Sequence, residues 1–272
     1  MRIAVTGAKG TLGRRFVAFA REIGHEVEAL ERRESHFAYP KVSPDVVLHL
    51  SWGGSAGAAR NDATLQLDNV NLTLEAQKIA LFTGARFVGV GTVTEMEAQP
   101  LDFFEAPATL PSGNYLYGFA KSVARTMSYA AASPARAPWT WLQLSNVYVP
   151  GAMAGRYIHT LASKVACGEE WAIESSPDSS LAVLSLDDAL NALLGACSPL
   201  LTGCVWGASS ATFEQRELAE GLASHFGTES KISFGSIVNS QHVEHNILGG
   251  DLEAKDRFLR TVASDVLTSM RQ

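Results

Sequence analysis

Short, mostly apolar runs alternate with stretches of helical spacing along the first half of the chain. Such runs are typical of strands buried on both faces of a sheet. They lie at residues 2–6, 25–30, 44–50 and 84–91, and helical spacing follows Gly13 and recurs from Asp62 to Leu81. This repeated order predicts right-handed β-α-β units and therefore an α/β fold with a doubly wound parallel sheet.

A glycine-rich turn joins the first predicted strand to the first predicted helix. Gly7 permits a turn at positive φ, Gly10 leaves the backbone open to close approach, and Gly13 lets the helix pack near the strand. The first N–H groups of the helix, at Thr11 and Leu12, then face a ligand, and the helix dipole favours negative charge. A structural turn uses the same residues, but the position between a strand and a helix favours dinucleotide binding.

Three charged residues follow the second predicted strand. Glu31 lies where an acidic side chain accepts hydrogen bonds from the adenosine ribose, which favours NAD over NADP. Arg32 and Arg33 come next, and arginines at this turn can hold a 2′-phosphate, although all three residues can also form a solvated charge run. Because Glu31 repels a phosphate, we expect NAD as the cofactor, with NADP as the alternative.

A loop of small residues follows the third predicted strand. We expect Leu50 and Ser51, at its start, to bind the central part of the dinucleotide, which passes just outside the carboxyl end of a strand. His49, at the end of the strand, is interpreted as a packed residue rather than a catalytic one.

Hydroxyl groups and a tyrosine–lysine pair supply the candidate chemistry. Thr92 and Thr94 follow the fourth predicted strand, at the carboxyl end where ligands collect. Tyr117 and Lys121 stand four residues apart, so both point from one helix face. The charge of a lysine there favours the phenolate, which suits a general acid or base. We therefore expect Thr92, Tyr117 and Lys121 to be catalytic and Thr94 to contact the substrate.

In this order the motifs resemble those of the extended short-chain dehydrogenases/reductases, which include nucleotide-sugar epimerases, dehydratases and ketoreductases. The resemblance rests on the glycine-rich turn, Glu31, the strand Asp45–Leu50, Thr92 and the pair Tyr117 and Lys121. Two later segments are also similar to segments of the family, Leu144–Gly151 and Val183–Ala189.

The resemblance implies both an architecture and an activity. We expect an NAD(P)-binding Rossmann domain at residues 1–150, to which residues 178–207 return, and a small C-terminal substrate lobe from 151–177 and 208–272. The implied activity is reversible hydride transfer at a carbon of a sugar, in particular of a nucleotide sugar. In the family the tyrosine is the acid/base, and the lysine also holds the nicotinamide ribose.

Two residues beyond the tyrosine–lysine pair are expected to contact the substrate. The resemblance places Asn146 near the nucleotide diphosphate of the substrate, although a turn-forming asparagine is an equal alternative. Arg156 follows in a helix-like stretch and can line the substrate lobe.

The residues after Thr92 distinguish among the reactions of the family. Dehydratases carry an Asp-Glu pair there, whereas this chain has Val93 and Thr94, with Glu95 one residue further on as a substitute acid. The C-terminal part is the weakest match: it is shorter than the lobe that the resemblance implies for a sugar-nucleotide epimerase, and its arginines do not align with those that bind the diphosphate there. We therefore favour reversible oxidoreduction, and an epimerase or a non-catalytic NAD(P)-binding sensor are the alternatives.

The composition and charge of the chain bear on its expected partners and location, and they leave the predicted fold unchanged. The formal net charge is −6 and 18% of residues are charged, which argues against nucleic acid and membranes as partners. Cys167, Cys197 and Cys204 share no metal spacing, and His242 and His245 lack a third ligand, so we expect no metal. Together with the absence of a secretory signal, this predicts a cytoplasmic protein.

A homodimer is the expected assembly. The resemblance implies a bundle of four helices between two subunits, built here from the helices at Asp62–Leu81 and Ser122–Ala132. The low charge content is consistent with an additional buried face.

Overall fold

The computed structural model describes residues 1–96, 115–151, 157–207, 211–237 and 252–270. The chain forms two compact units. The first consists of Met1–Leu144 and Leu190–Gly207, and the second of Ser145–Ala189 and Ala208–Gln272. Arg156, His242 and His245, which the sequence singled out, lie outside the described residues.

The described chain contains strands and helices in alternation. The strands are β1 (Arg2–Thr6), β2 (Glu26–Leu30), β3 (Arg32–Arg33), β4 (His36–Phe37), β5 (Val46–His49), β6 (Arg86–Thr92), β7 (Trp139–Leu144), β8 (Asn146–Val147), β9 (Trp171–Ser175), β10 (Ser180–Leu184), β11 (Gly203–Trp206), β12 (Ala211–Glu214) and β13 (Ile232–Ile237). The helices are α1 (Thr11–Glu22), α2 (Ala63–Thr83), α3 (Tyr115–Ala132), α4 (Tyr157–Ala166), α5 (Leu186–Ala196), α6 (Gln215–Phe226) and α7 (Leu252–Met270). None of the helices described is long and apolar enough to cross a membrane.

The first unit is built on a six-stranded sheet in the order β11-β7-β6-β5-β1-β2. Every neighbouring pair in this sheet is parallel. The order reverses between β1 and β5, because the chain proceeds outward from β1 to β2 and then crosses back. The predicted doubly wound α/β fold is confirmed, and the point of reversal is where such sheets bind their ligands.

Two helices of the first unit pack against each other and carry the candidate chemistry. Helix α2 begins after Asp62, whose carboxylate accepts a hydrogen bond from the Leu65 N–H at 3.0 Å. Helix α2 packs along α3, which in turn covers β6 and β7. Trp139 and Trp141 on β7 are buried, and their rings stack with centroids 6.3 Å apart.

The second unit has a smaller sheet of its own. Strand β10 pairs with β12 in antiparallel fashion and with β8 in parallel fashion, and β13 pairs with β9. Helices α4, α6 and α7 pack together over a core that includes Leu161, Phe213, Leu222 and Val262.

This pairing corrects the predicted domain bounds at two places. Residues 145–150 and 178–189 belong to the second unit rather than the first, because β8 and β10 pair with each other and not with the large sheet.

Candidate active site

The glycine-rich turn between β1 and α1 is shaped by close backbone packing. Gly7 has a φ of +70°, and a Cβ there would lie 2.6 Å from the backbone of Leu50 and Ser51. A Cβ at Gly13 would lie 2.1 Å from the Gly7 carbonyl oxygen. Only glycine therefore fits at both positions, and Gly7 also sets the distance between the turn and the loop after β5.

The start of α1 is open rather than capped. Gly10 is the N-cap residue, it is exposed, and no side chain caps the first N–H groups of the helix. Thr11 and Leu12, the first residues of α1, are half-buried. Uncapped N–H groups and the helix dipole both favour an anion at this end, so the geometry fits the diphosphate of a dinucleotide.

A chain of hydrogen bonds fixes the loop after β5. The Ser51 N–H donates to Thr6 Oγ1 at 3.4 Å, and Thr6 Oγ1 lies 2.8 Å from Nδ1 of His49. On the opposite side of the ring, Nε2 lies 3.1 Å from Thr73 Oγ1, which donates its proton to the Asn69 carbonyl at 2.9 Å. Since the Thr73 hydroxyl has one proton, His49 donates from Nε2 and accepts at Nδ1, as a neutral imidazole does.

His49 is packed at the strand end, as expected. Burial, with a smaller contribution from the charge of Lys121, lowers the pKa of His49 to about 3. The ring therefore stays neutral at physiological pH and supports the loop that begins at Leu50. The Leu50 N–H donates to the Thr6 carbonyl at 3.2 Å, which continues the contact between this loop and β1.

The charged residues after β2 lie on the surface of the first unit. Glu31 is exposed, and its carbonyl accepts a hydrogen bond from the Ala38 N–H at 2.9 Å. Arg32 and Arg33 form β3, which pairs with β4, and both are exposed. The Arg32 guanidinium donates to the Glu34 carbonyl at 3.1 Å.

Thr92 ends β6 and is held in a tight turn. The Thr94 N–H donates to Thr92 Oγ1 at 3.3 Å, and the two hydroxyl oxygens are also 3.3 Å apart. The Thr92 N–H donates to Glu95 Oε1 at 3.0 Å, and the indole N–H of Trp141 donates to the same oxygen at 3.1 Å. Glu95 Oε2 lies 3.2 Å from Nε of Arg125. Because its carboxylate is engaged inside the fold, Glu95 is not available as the substitute acid that the sequence allowed.

Tyr117 and Lys121 lie within one helix, since α3 begins at Tyr115 rather than after Lys121. Both are buried, with exposed fractions of 7% and 6%. The Lys121 ammonium donates to the Val90 carbonyl on β6 at 2.7 Å. Burial lowers the pKa of Lys121 to about 7, and the charge of Glu95 opposes this effect. The structure thus places Lys121 against the strand that ends at Thr92, and Tyr117 lies one turn earlier on the same helix.

Several residues that organise this site were missed from the sequence. Trp52 contacts both Tyr117 and Lys121, and its indole N–H donates to Gln66 Oε1 at 3.0 Å. Gln66 and Asn69 are buried polar residues on α2 that fasten the loop after β5. Polar side chains recur along α2 at helical spacing, at positions 66, 69, 73 and 77, and that spacing was the available signal.

Asn146 belongs to the second unit, where it has a partner in the fold. Its side-chain amide donates to the Ala182 carbonyl at 2.9 Å, which joins β8 to β10. The residue is half-buried. Its expected contact with substrate stays a prediction, as does that of Arg156. Among the described residues, no group of three or more His, Cys, Asp or Glu side chains can hold a metal ion.

The sequence matches one protein family over most of its length. Residues 3–198 match the profile of the NAD dependent epimerase/dehydratase family, so the chain belongs to that family. This confirms the resemblance to the extended short-chain dehydrogenases/reductases. A comparison with curated protein sequences finds no match.

Three solved structures are examples of proteins that are similar in fold to this chain. The UDP-glucose 4-epimerase of Thermus thermophilus in complex with NAD has a TM-score of 0.69 at 18% identity, over 98% of each chain. The UDP-glucose 4-epimerase of Thermotoga maritima with UDP-glucose has a TM-score of 0.71 at 18% identity, over 100% of this chain and 99% of that chain. RMD from Pseudomonas aeruginosa complexed with NADPH has a TM-score of 0.69 at 18% identity, over 98% of this chain and 99% of that chain. The TM-scores show a shared fold, and at 18% identity the likeness shows the fold alone.

Proposed function

We propose that this protein is an NAD(P)-dependent oxidoreductase that transfers hydride reversibly at a carbon of a sugar, in particular of a nucleotide sugar. One observation carries the proposal. Tyr117 and Lys121 are buried on α3, which packs against β6 and against the turn that contains Thr92. These are the hydroxyl, acid/base and ammonium groups that such a reaction needs.

The first unit supplies residues that fit a dinucleotide. The open start of α1, with Gly10, Thr11 and Leu12, suits the diphosphate, while Gly7 and Gly13 shape the turn beneath it. The loop that begins at Leu50 and Ser51 lies against this turn at the point where the strand order reverses. Membership in an NAD-dependent family agrees with this assignment.

The residues at the end of β2 lead us to propose NAD rather than NADP. Glu31 is the residue proposed to accept hydrogen bonds from the adenosine ribose hydroxyls, and its carboxylate would repel a 2′-phosphate. Arg32 lies next to it, with its guanidinium hydrogen-bonded to the Glu34 carbonyl.

Each catalytic residue has a separate role in the proposed reaction. When bound, the nicotinamide accepts or donates the hydride. In the oxidation direction, Tyr117 removes the proton from the substrate hydroxyl as the hydride leaves the same carbon, so that an alcohol becomes a ketone. Lys121 favours the phenolate form of Tyr117 by its charge, and Thr92 holds the substrate oxygen.

Dehydration is disfavoured because the turn after Thr92 presents no free carboxylate. Val93 and Thr94 stand where the family's dehydratases carry an Asp-Glu pair, and Glu95 is bound to Thr92, Trp141 and Arg125. Elimination of water needs an acid and a base placed on the sugar, and these residues supply neither.

A nucleotide-sugar epimerase is the second candidate, and one observation favours it. The alignments with the two UDP-glucose 4-epimerases extend over nearly the whole of both chains. The C-terminal part is therefore not shortened relative to those two structures, which corrects the expectation from the sequence that counted against an epimerase. We propose Thr94, Asn146 and Arg156 as substrate contacts for either reaction.

The decisive experiment follows the cofactor and the sugar separately. The protein is incubated with NAD⁺ and a panel of nucleotide hexoses while NADH absorbance and product mass are recorded. We expect stoichiometric formation of NADH together with loss of two hydrogens from the sugar. Exchange of isomers without net NADH would instead establish the epimerase, and loss of water from the sugar would contradict both candidates.

We further propose that the protein is a homodimer and that it is located in the cytoplasm.

A further inference from the structure

The loop after β5 presents one aromatic side chain to the tyrosine–lysine pair. The Lys121 ammonium nitrogen lies 3.8 Å from the centre of the Trp52 ring, over its face. The same indole and the Tyr117 ring form a T-shaped pair, with an interplanar angle of 88° and centroids 6.2 Å apart. One side chain therefore touches both members of the proposed catalytic pair.

Two buried amides of α2 hold Trp52 in this orientation. Gln66 accepts from the indole N–H at 3.0 Å and donates to the carbonyls of Gly54 at 3.2 Å and Ala59 at 3.0 Å. Asn69 accepts from the Gly53 N–H at 2.9 Å and donates to the Gly53 carbonyl at 2.8 Å. Because both the ring and the adjacent backbone are fastened, the indole cannot turn away without breaking buried hydrogen bonds.

Lys121 lies in a place where such a contact matters. Its ammonium is buried and donates to the Val90 carbonyl at 2.7 Å. The face of an indole attracts the charged ammonium and has no comparable attraction for the neutral amine. Since burial lowers the pKa of Lys121 to about 7, contacts that favour the ammonium decide how much of it is charged at neutral pH.

Among the residues that the structure describes, the other charged and titratable groups around Lys121 come from four elements. Glu95, after β6, favours the ammonium by its charge. His49 on β5 is neutral, because burial lowers its pKa to about 3. The guanidinium of Arg60, in the 3₁₀ turn Gly57–Asn61, lies 4.7 Å from the centre of the Tyr117 ring. On α3 itself, Arg125 is paired with Glu95.

We propose that Trp52 is a positioning residue that holds the Lys121 ammonium beside Tyr117 and favours its charged form. This inference rests on the proposed function, because the pair matters for catalysis only if Tyr117 is the acid/base. The indole acts through Lys121 and does not itself react. Trp52 belongs to the loop after β5, which Gln66 and Asn69 hold in place.

The test titrates Lys121 directly. Protein labelled with ¹³C-lysine is followed by NMR over a pH series, and the Lys121 signal is assigned by its loss in Lys121→Met. Trp52→Leu keeps an apolar side chain but removes the aromatic face. In this variant the midpoint of the Lys121 titration should fall by about one pH unit, which corresponds to about 1.4 kcal/mol in the free energy of protonation. Trp52→Phe retains an aromatic face, so its midpoint should lie between those of Trp52→Leu and the unchanged protein.

Two further variants keep the test decisive. Trp171→Leu, on β9 of the second unit, removes a tryptophan elsewhere and should leave the Lys121 midpoint unchanged. If Trp52→Leu does not fold, as judged by circular dichroism, Gln66→Met frees the indole and should lower the midpoint in the same direction. An unchanged or raised midpoint in the folded variant would overturn the proposal, because the indole would then act only by excluding water.

The Lys121 midpoint and the turnover of Tyr117→Phe, measured together, separate the inference from the proposed function. If the Lys121 midpoint falls in Trp52→Leu while Tyr117→Phe keeps full turnover, the contact is real but the proposed catalytic role of Tyr117 is wrong. If the midpoint is unchanged and Tyr117→Phe is inactive, the proposed function stands and the role of Trp52 is rejected.

Discussion

Glu95 Oε1 accepts a hydrogen bond from the backbone N–H of Thr92 at 3.0 Å. The carboxylate lies over Gly91, where an added Cβ would be 2.2 Å from the same oxygen. Gly91 therefore leaves the space that lets the side chain fold back onto the end of β6. Through this contact a buried charge, rather than the backbone alone, holds the proposed catalytic hydroxyl in place.

The first prediction concerns the stability that this carboxylate provides. Glu95→Ala removes the partner of the Thr92 and Trp141 N–H groups and leaves the Arg125 guanidinium without its ion pair. We expect the free energy of unfolding in urea to fall by about 3 kcal/mol, the low end for a broken buried pair, because the Arg125 side chain is 32% exposed. Glu75→Ala, which breaks an exposed pair with Lys78, is the control and should change little. Equal losses in the two variants would contradict the assigned role of Glu95.

The second prediction concerns proton transfer. Tyr117→Phe keeps the ring contacts with Trp52 and Arg60 but removes the hydroxyl, so turnover should fall by about 10²-fold or more while NADH binding is nearly unchanged. Tyr129→Phe, at an exposed position of the same helix, is the matched control. Rates are measured by NADH absorbance with the nucleotide hexose that the panel selects, and full activity in Tyr117→Phe would reject the mechanism.

The third prediction separates the roles of the lysine and the tyrosine. Lys121→Met should reduce both turnover and NADH affinity, since the family resemblance gives this lysine a contact with the nicotinamide ribose as well as a charge beside Tyr117. Calorimetric titration with NADH measures the affinity. A variant that binds NADH as tightly as the unchanged protein would limit Lys121 to its electrostatic role.

The fourth prediction concerns the cofactor. We expect NAD(H) to bind more tightly than NADP(H), because the Glu31 carboxylate is proposed to accept hydrogen bonds from the ribose diol and would repel a 2′-phosphate. Glu31→Gln should narrow the difference between the two affinities, whereas Glu26→Gln, at an exposed position at the start of the preceding strand β2, should not. Calorimetry that shows a tenfold preference for NADP(H), about 1.4 kcal/mol, would instead make Arg32 and Arg33 phosphate ligands.

The fifth prediction concerns pH and stability. Above pH 6.5 the His49 ring is neutral in both the folded and the unfolded chain. Between pH 6.5 and about 3, the ring takes up a proton in the unfolded chain but not in the folded one. The free energy of unfolding should therefore fall with falling pH across this window, by up to about 1.4 kcal/mol per pH unit from this group. His49→Gln should flatten the dependence and His36→Gln, which changes an exposed ring, should not. Parallel curves for the unchanged protein and His49→Gln would show that another group is responsible.

The proposed homodimer rests on surfaces that the structure now defines more closely. Helix α2 exposes Leu67 and Phe82, and α3 exposes Phe119, Met127 and Tyr129. Ala124 and Ala132, which belong to the segment Ser122–Ala132 of the expected dimer interface, are buried in the core of the first unit. Light scattering should give twice the monomer mass at micromolar concentration, and a monomer would refute the proposed assembly.

The large sheet and the order of the catalytic motifs were predictable because each depends on local pattern. A buried parallel strand needs a short apolar run, and a turn that approaches backbone closely needs glycine at Gly7 and Gly13. Likewise, a spacing of four residues places Tyr117 and Lys121 on one face of any helix. These requirements hold whatever the rest of the chain does, so the sequence by itself determined the fold class and its family.

Contacts between distant residues were decided only by the tertiary structure. That Trp52 covers Lys121, and that Glu95 folds back to Thr92 instead of facing outward, depends on how α2, α3 and β7 pack. The division between the units was also decided there, because β10 pairs with β8 and β12 rather than with the large sheet. The direction of a side chain and the partner of a strand depend on the packing free energy of the entire fold. The local spacing of residue types carries no information about that packing.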